Sequence, residues 1–289
     1  MPDCSDQRIA AHRGAVRGVG VLRFTTLMKG FAMYLYGIRN ASLNMDWGKD
    51  AFATAGDIGF DGVEIVLREE ERLDWLLSAA GREEVGRWVE ETGAQACSIS
   101  FALFREYKGN EEDAAVRDRV VELVQKAIRA CKGMGGVGIL LPYFDAQNLD
   151  MSSAHAELLI EDMKRCAPVA EDKGIKVALE TSFSPGLLRT ICDGVGSEMV
   201  GVYQDTANAL QYGYDSVDML VTLPEHTQLI HIKDTRRSDL GEGDVDFPAC
   251  RDAIAQIGYE GWLIFETPGG DDPVASGEKN LAFAKEMFG

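Results

Sequence analysis

No stretch of this chain approaches the roughly 18 consecutive apolar residues that a membrane-spanning helix requires, so neither a membrane span nor a membrane partner is expected. Lysine and arginine number 29 against 47 acidic residues, for a formal net charge of -18, and no segment concentrates the basic residues. Such a chain repels a phosphate backbone, which argues against nucleic acid as a partner. Six cysteines are scattered at positions 4, 97, 131, 166, 192 and 250 and form no C-x-x-C pair. They read as reduced thiols of a cytoplasmic protein rather than as a disulfide scaffold or a structural zinc site. A Gly-rich G-x-G-x-x-G turn between a strand and a helix is also missing: Gly18 to Gly20 lies outside any strand–helix unit, and GEGDVDF (241–247) follows a loop. An open dinucleotide-binding sheet is correspondingly disfavoured.

What is present is an alternation. From Tyr34 onward, short apolar runs rich in β-formers alternate with longer segments carrying apolar residues at i, i+3 and i+4, the pattern of βαβ units and a parallel sheet. Eight such runs occur, at 33–39, 62–67, 94–100, 137–143, 176–181, 200–205, 228–234 and 261–267. Several are apolar on both faces, as expected of strands covered by helices outside and packed side chains inside. Eight runs in 289 residues predict a single α/β domain with the (β/α)8 TIM-barrel fold, which typically needs about 250 residues. Gly135 and Gly174 fall where helices should stop. The first 32 residues carry arginines and glycines without a clean period or a convincing signal sequence, and read as a poorly ordered N-terminal extension preceding a catalytic barrel over 33–289. Barrels of this size often pair, so a homo-oligomer is admissible.

In a parallel barrel the C-terminal strand ends share one mouth, so an ionisable residue there faces a pocket. Glu180, Asp205, His231 and Glu266 sit at or near the ends of four successive runs. Three carboxylates aimed at one point repel one another unless a cation neutralises them. Together with one imidazole they suit a single divalent ion, with manganese, magnesium or cobalt favoured and zinc admissible. The long irregular stretch from Thr235 to Phe247 follows the seventh run, on the face where barrel enzymes keep their active-site loops. His12, His155 and His226 lie in the N-terminal extension or near helix ends and read as surface residues. Phe183 and Trp262 read as core or pocket wall.

The segments VALETS, YQDTANA, LIHIKDT, GEGDVDF and GYEGWLIFETP resemble the xylose isomerase-like barrel family of sugar isomerases and epimerases, and within it most closely the pentulose-phosphate 3-epimerase branch. The resemblance runs from about Met33 to the C-terminus and is densest after Val177. It implies that Glu180, Asp205, His231 and Glu266 bind the metal, and that Glu180 and Glu266 exchange protons with a ketose or ketose phosphate through a metal-stabilised enediolate. Asn208 and Arg237 resemble substrate-contacting positions; Lys233 and Glu64, the latter expected at the same mouth, join them as candidate substrate contacts. Two positions depart from the family pattern: Leu103 stands where a histidine is common after the third strand, and Gly186 where non-phosphorylated ketose 3-epimerases carry a second glutamate. A lyase acting on a keto sugar, keto acid or inosose is the alternative on the same metal site. A non-catalytic sugar-binding barrel is poorly served by three carboxylates. A related apurinic-site endonuclease would need many more histidines than the four present.

Overall fold

The computed structural model describes residues 34–104, 112–144 and 153–289. The expected extension over 1–32 lies outside them. Eight strands close a barrel in the order β1 to β8: β1 (Leu35–Arg39), β2 (Gly62–Val66), β3 (Gln95–Ser100), β4 (Gly138–Tyr143), β5 (Lys176–Thr181), β6 (Val200–Asp205), β7 (Thr227–Ile232) and β8 (Trp262–Phe265). Every neighbouring pair is parallel, and β1 closes on β8 with Ile38 opposite Phe265. The eight apolar runs of the sequence are these eight strands.

Around them run α1 (Lys49–Ile58), α2 (Glu70–Leu77), α3 (Ala79–Thr92), α4 (Ala114–Gly133), α5 (Ser153–Lys173), α6 (Pro185–Val195), α7 (Asn208–Gln211), α8 (Ser216–Thr222), α9 (Phe247–Gln256) and α10 (Pro273–Phe288). Their starts are encoded locally. Ser78, Asp113, Ser184, Asp246 and Asp272 each accept a first-turn amide hydrogen with their side chains, a cap that stabilises by about 1 kcal/mol. Gly174, at φ 62° directly after α5, takes the left-handed conformation that ends the helix without steric cost.

The core has two layers. The larger packs the outer faces of the strands against the helices, and the smaller fills the barrel interior with Cys97, Leu140, Ala178, Tyr203, Leu229, Trp262 and Ile264. Trp262 presses its ring on Gly62, where an added Cβ would approach it to 2.8 Å, so a bulkier residue at 62 would displace the plug. Because side chains alternate along a strand, the residues two places beyond Ala178, Tyr203, Leu229 and Ile264 point inward as well. Those residues are Glu180, Asp205, His231 and Glu266. The five described cysteines are all buried and unpaired as disulfides. No helix among the described residues is long and apolar enough to cross a membrane.

Candidate metal centre

One ligand atom from each of Glu180, Asp205, His231 and Glu266 can be chosen so that all four lie within 4.8 Å of one another. Strand register brings them there: Asp205 stands directly opposite His231 across β6 and β7. His231 Nδ1 lies 3.4 Å from Glu180 Oε1, 3.2 Å from Glu266 Oε2 and 3.8 Å from Asp205 Oδ2.

Each carboxylate is held by contacts that leave a direction open. Asp205 Oδ1 accepts the backbone N–H groups of Ala207 (2.9 Å) and Asn208 (2.7 Å), while its Oδ2 is buried without a hydrogen-bond partner. Glu266 Oε1 accepts from Arg39 Nη1, while its Oε2 is likewise buried without a hydrogen-bond partner, 3.5 Å from Lys233 Nζ. Glu180 Oε1 accepts from the Asn208 amide at 3.0 Å. A buried, unpartnered carboxylate oxygen carries a large desolvation cost, and two of them converging on one imidazole nitrogen fit a divalent cation with oxygen and nitrogen donors.

Burial, reinforced by Glu266 and Glu180 and partly offset by Lys233, pushes the Asp205 carboxyl up to about 6. Burial would also raise Glu266, but the Arg39, His231 and Lys233 cations outweigh it and hold that carboxyl well below the usual range. For His231, burial favours the neutral ring, yet Glu64, Glu180 and Glu266 outweigh it and push the imidazole well above its ordinary value. A metal ion bound here would therefore displace a proton from the ring, and below pH 6 a second from Asp205. Linkage requires affinity to rise with pH, by about tenfold per unit for each proton displaced. The expected outcome is a metal affinity that steepens from about tenfold to about a hundredfold loss per pH unit as pH falls through 6, read by titration calorimetry in buffers of different ionisation enthalpy. A pH-independent affinity would contradict the assignment.

The candidate substrate contacts fall in different places. Lys233 and Arg237 line a cavity of about 450 Å3 at the mouth, together with Arg39, Ser42, Glu266 and Thr267. Arg237 reaches it from a left-handed backbone position at φ 55°. Asn208 is buried and spends its amide within the site, donating to Glu180 and accepting from Lys233 Nζ at 3.0 Å. Glu64, expected at the mouth as a substrate contact, is fully buried and is not among the residues lining the cavity. It stands in β2 with two residues of strand still to follow, beneath His231. There its carboxylate meets His231 Nε2 at 3.0 Å, the Ser98 hydroxyl at 2.7 Å and the Tyr203 hydroxyl at 2.9 Å. With Nε2 facing the Glu64 carboxylate, Nδ1 is turned to the other side, toward Glu180 Oε1 and Glu266 Oε2, and a carboxylate behind the imidazole in this way orients metal-ligating histidines. Leu103 is buried in the core, and Gly186 lies in the first turn of α6 with open space around it.

Two functional elements escaped the sequence reading. Arg39, at the end of β1, reaches Glu266 and lies 3.5 Å from Glu64. Asp234 organises the loop after β7, its two oxygens accepting the N–H groups of Thr235, Gly241, Gly243 and Val245. Gly243 makes that possible, since a Cβ there would lie 2.1 Å from Asp234 Oδ1. The G-D pattern of GEGDVDF was the available signal for the loop. Nothing local signalled Arg39.

The sequence pattern of the xylose isomerase-like TIM barrel matches residues 52–287. The chain belongs to that family. Among curated relatives of this xylose isomerase-like barrel is the L-ribulose-5-phosphate 3-epimerase UlaE of Escherichia coli, 27% identical over 248 residues, covering 80% of this chain and 86% of the relative. Among solved structures, the D-allulose 3-epimerase of Methylomonas superposes with a TM-score of 0.74 at 21% identity, covering 88% of this chain and 97% of that one. The IolI protein, crystallised with a bound zinc atom, superposes with a TM-score of 0.68 at 16% identity over 88% of this chain and 96% of its own. At these identities the superpositions speak for the shared barrel.

Proposed function

We propose that this protein is a divalent-metal-dependent epimerase or isomerase of ketoses or ketose phosphates, working by proton transfer at a carbon beside the carbonyl. The observation that carries the reading is the convergence of Glu180, Asp205, Glu266 and His231 Nδ1 around one point, with two of the carboxylate oxygens buried without a hydrogen-bond partner. A divalent ion held there would supply Lewis-acid stabilisation of the negative charge that grows on the substrate oxygens when the neighbouring carbon loses its proton. The names of the relatives, a ribulose-phosphate epimerase and an allulose epimerase, support a ketose.

The protein groups divide the remaining work. Glu266, on the cavity wall at the end of β8, and Glu180, buried behind it on β5, are the two carboxylates the reaction would use. Epimerisation needs one to take a proton and the other to return it to the opposite face. Asn208 holds the Glu180 carboxylate while Lys233 holds Asn208, so the base is fixed before substrate arrives. Lys233 and Arg237 put two cations on a cavity large enough for a five- or six-carbon sugar, which suits a phosphate or an oxygen-rich chain. The loop pinned by Asp234 sets the position of Arg237.

The test is proton exchange with solvent. The manganese-loaded enzyme, incubated in deuterium oxide with L-ribulose 5-phosphate and separately with D-allulose, is expected to place deuterium at C3 of at least one ketose and to yield its C3 epimer. Absence of exchange across a panel of ketoses and ketose phosphates, with metal retained, would sink the proposal. Mass loss of water or carbon dioxide would replace it with the lyase reading.

A further inference from the structure

Three members of the tetrad lie within strands, and their side chains are 6%, 1% and 0% exposed for Glu180, Asp205 and His231. Glu266 differs. It stands one residue past the end of β8, with its side chain 24% exposed, so the alternation that turns it inward is not continued by any strand beyond it. Its backbone is tied to β7 through its N–H to Ile232 O at 3.2 Å, but a glutamate has three further torsions to order before it can serve as a ligand.

The geometry points to Arg39 as the positioning residue that supplies this order. Arg39 ends β1, the strand that closes the barrel on β8, with Ile38 and Phe265 paired in register immediately before the two side chains. Its guanidinium spans two carboxylates, Nη1 donating to Glu266 Oε1 and Nε lying 3.5 Å from Glu64 Oε1. With Oε1 taken, Glu266 turns Oε2 toward His231 Nδ1 at 3.2 Å, with Lys233 Nζ 3.5 Å from the same oxygen. Glu64, which meets the imidazole from below, thus lies at ion-pair distance from the same cation, whose Nε has no hydrogen-bond partner. A guanidinium suits such a span because its donors are fixed in one plane, whereas an ammonium offers a single centre.

This inference rests on the metal-site reading and deepens it, and metal binding tests it without any substrate. Manganese alone is the probe, with affinity from calorimetry and ligand symmetry from the electron paramagnetic resonance spectrum of the bound ion. Arg39→Met keeps the side-chain length and removes the donors. The expected result is a tenfold to hundredfold loss of manganese affinity, the range typical of groups that orient a metal ligand, together with a changed spectrum of the ion that still binds. Arg39→Lys is expected to fall between Arg39→Met and the unsubstituted protein. Charge alone predicts the opposite sign, since deleting a cation beside three carboxylates should tighten binding of another cation. Equal or tighter binding by a folded Arg39→Met protein, with an unaltered spectrum, would overturn the positioning role and leave Arg39 as a charge balance. If the unsubstituted protein binds no manganese or other divalent ion, the metal-site reading itself fails. Should Arg39→Met not fold, Arg39→Lys carries the same comparison.

Discussion

His231→Ala is expected to lose its divalent metal altogether under conditions where the unsubstituted protein retains about one ion per chain. Changes in groups that merely orient a ligand typically cost ten- to a hundredfold in affinity, and His231 is placed as a ligand itself, so the loss should exceed a hundredfold. The substitution also strips the buried Glu64 carboxylate of its imidazole partner, leaving it with Ser98, Tyr203 and the more distant Arg39. Removing one partner of a buried charged pair destabilises by about 3–5 kcal/mol, so a lowered thermal midpoint should accompany the loss even in chelator. Elemental analysis after chelation and reconstitution, paired with thermal unfolding, separates the two effects. A His231→Ala protein that still holds one ion per chain would remove His231 from the centre, and with it the argument that four strand ends converge for metal.

The second large effect is expected at Glu180. Glu180→Gln keeps a carbonyl oxygen able to reach a metal but cannot accept a proton from carbon. Loss of a positioned general base costs about 10²- to 10⁴-fold in rate, and solvent deuterium exchange should fall by that factor while metal content stays near one per chain. Asn208 sharpens the prediction, because its amide donates to Glu180 Oε1 and a glutamine must turn its own oxygen toward that donor to avoid opposing two NH2 groups. Unchanged exchange in Glu180→Gln would shift the proton-transfer role to Glu266 or to a solvent molecule. With His231→Ala, the pair separates holding the ion from moving the proton.

Much of this site is readable along the chain because a parallel barrel turns sequence position into depth. Side chains alternate along a strand and the C-terminal ends share one mouth, so Glu180, Asp205, His231 and Glu266, two places beyond Ala178, Tyr203, Leu229 and Ile264, had to enter the same space once eight strands closed. Glu64 shows the limit of that rule. It is only the third of six residues in its run (62–67), the strand continues past it to Val66, and the ladder to β3 shifts register at Val63/Glu64. That depth put the carboxylate under the histidine rather than in the cavity. Asn208 is expected as a substrate contact from the family resemblance, and in the structure its amide donates to Glu180 and accepts from Lys233.

The sequence by itself determined the eight-unit barrel, because hydrophobic period, β-rich runs and helix caps are local properties that each segment carries alone. It also determined which four residues converge, because alternation and strand order leave them little freedom. Only the tertiary structure decided which oxygen of each carboxylate is pinned, which imidazole nitrogen faces Glu64 and which the other carboxylates, and that Arg39 lies between Glu64 and Glu266. Those contacts join residues 167 positions apart for His231 and Glu64, and 227 apart for Arg39 and Glu266. They depend on the closure of β1 against β8 and on the stagger between strands, and no short stretch of chain encodes either.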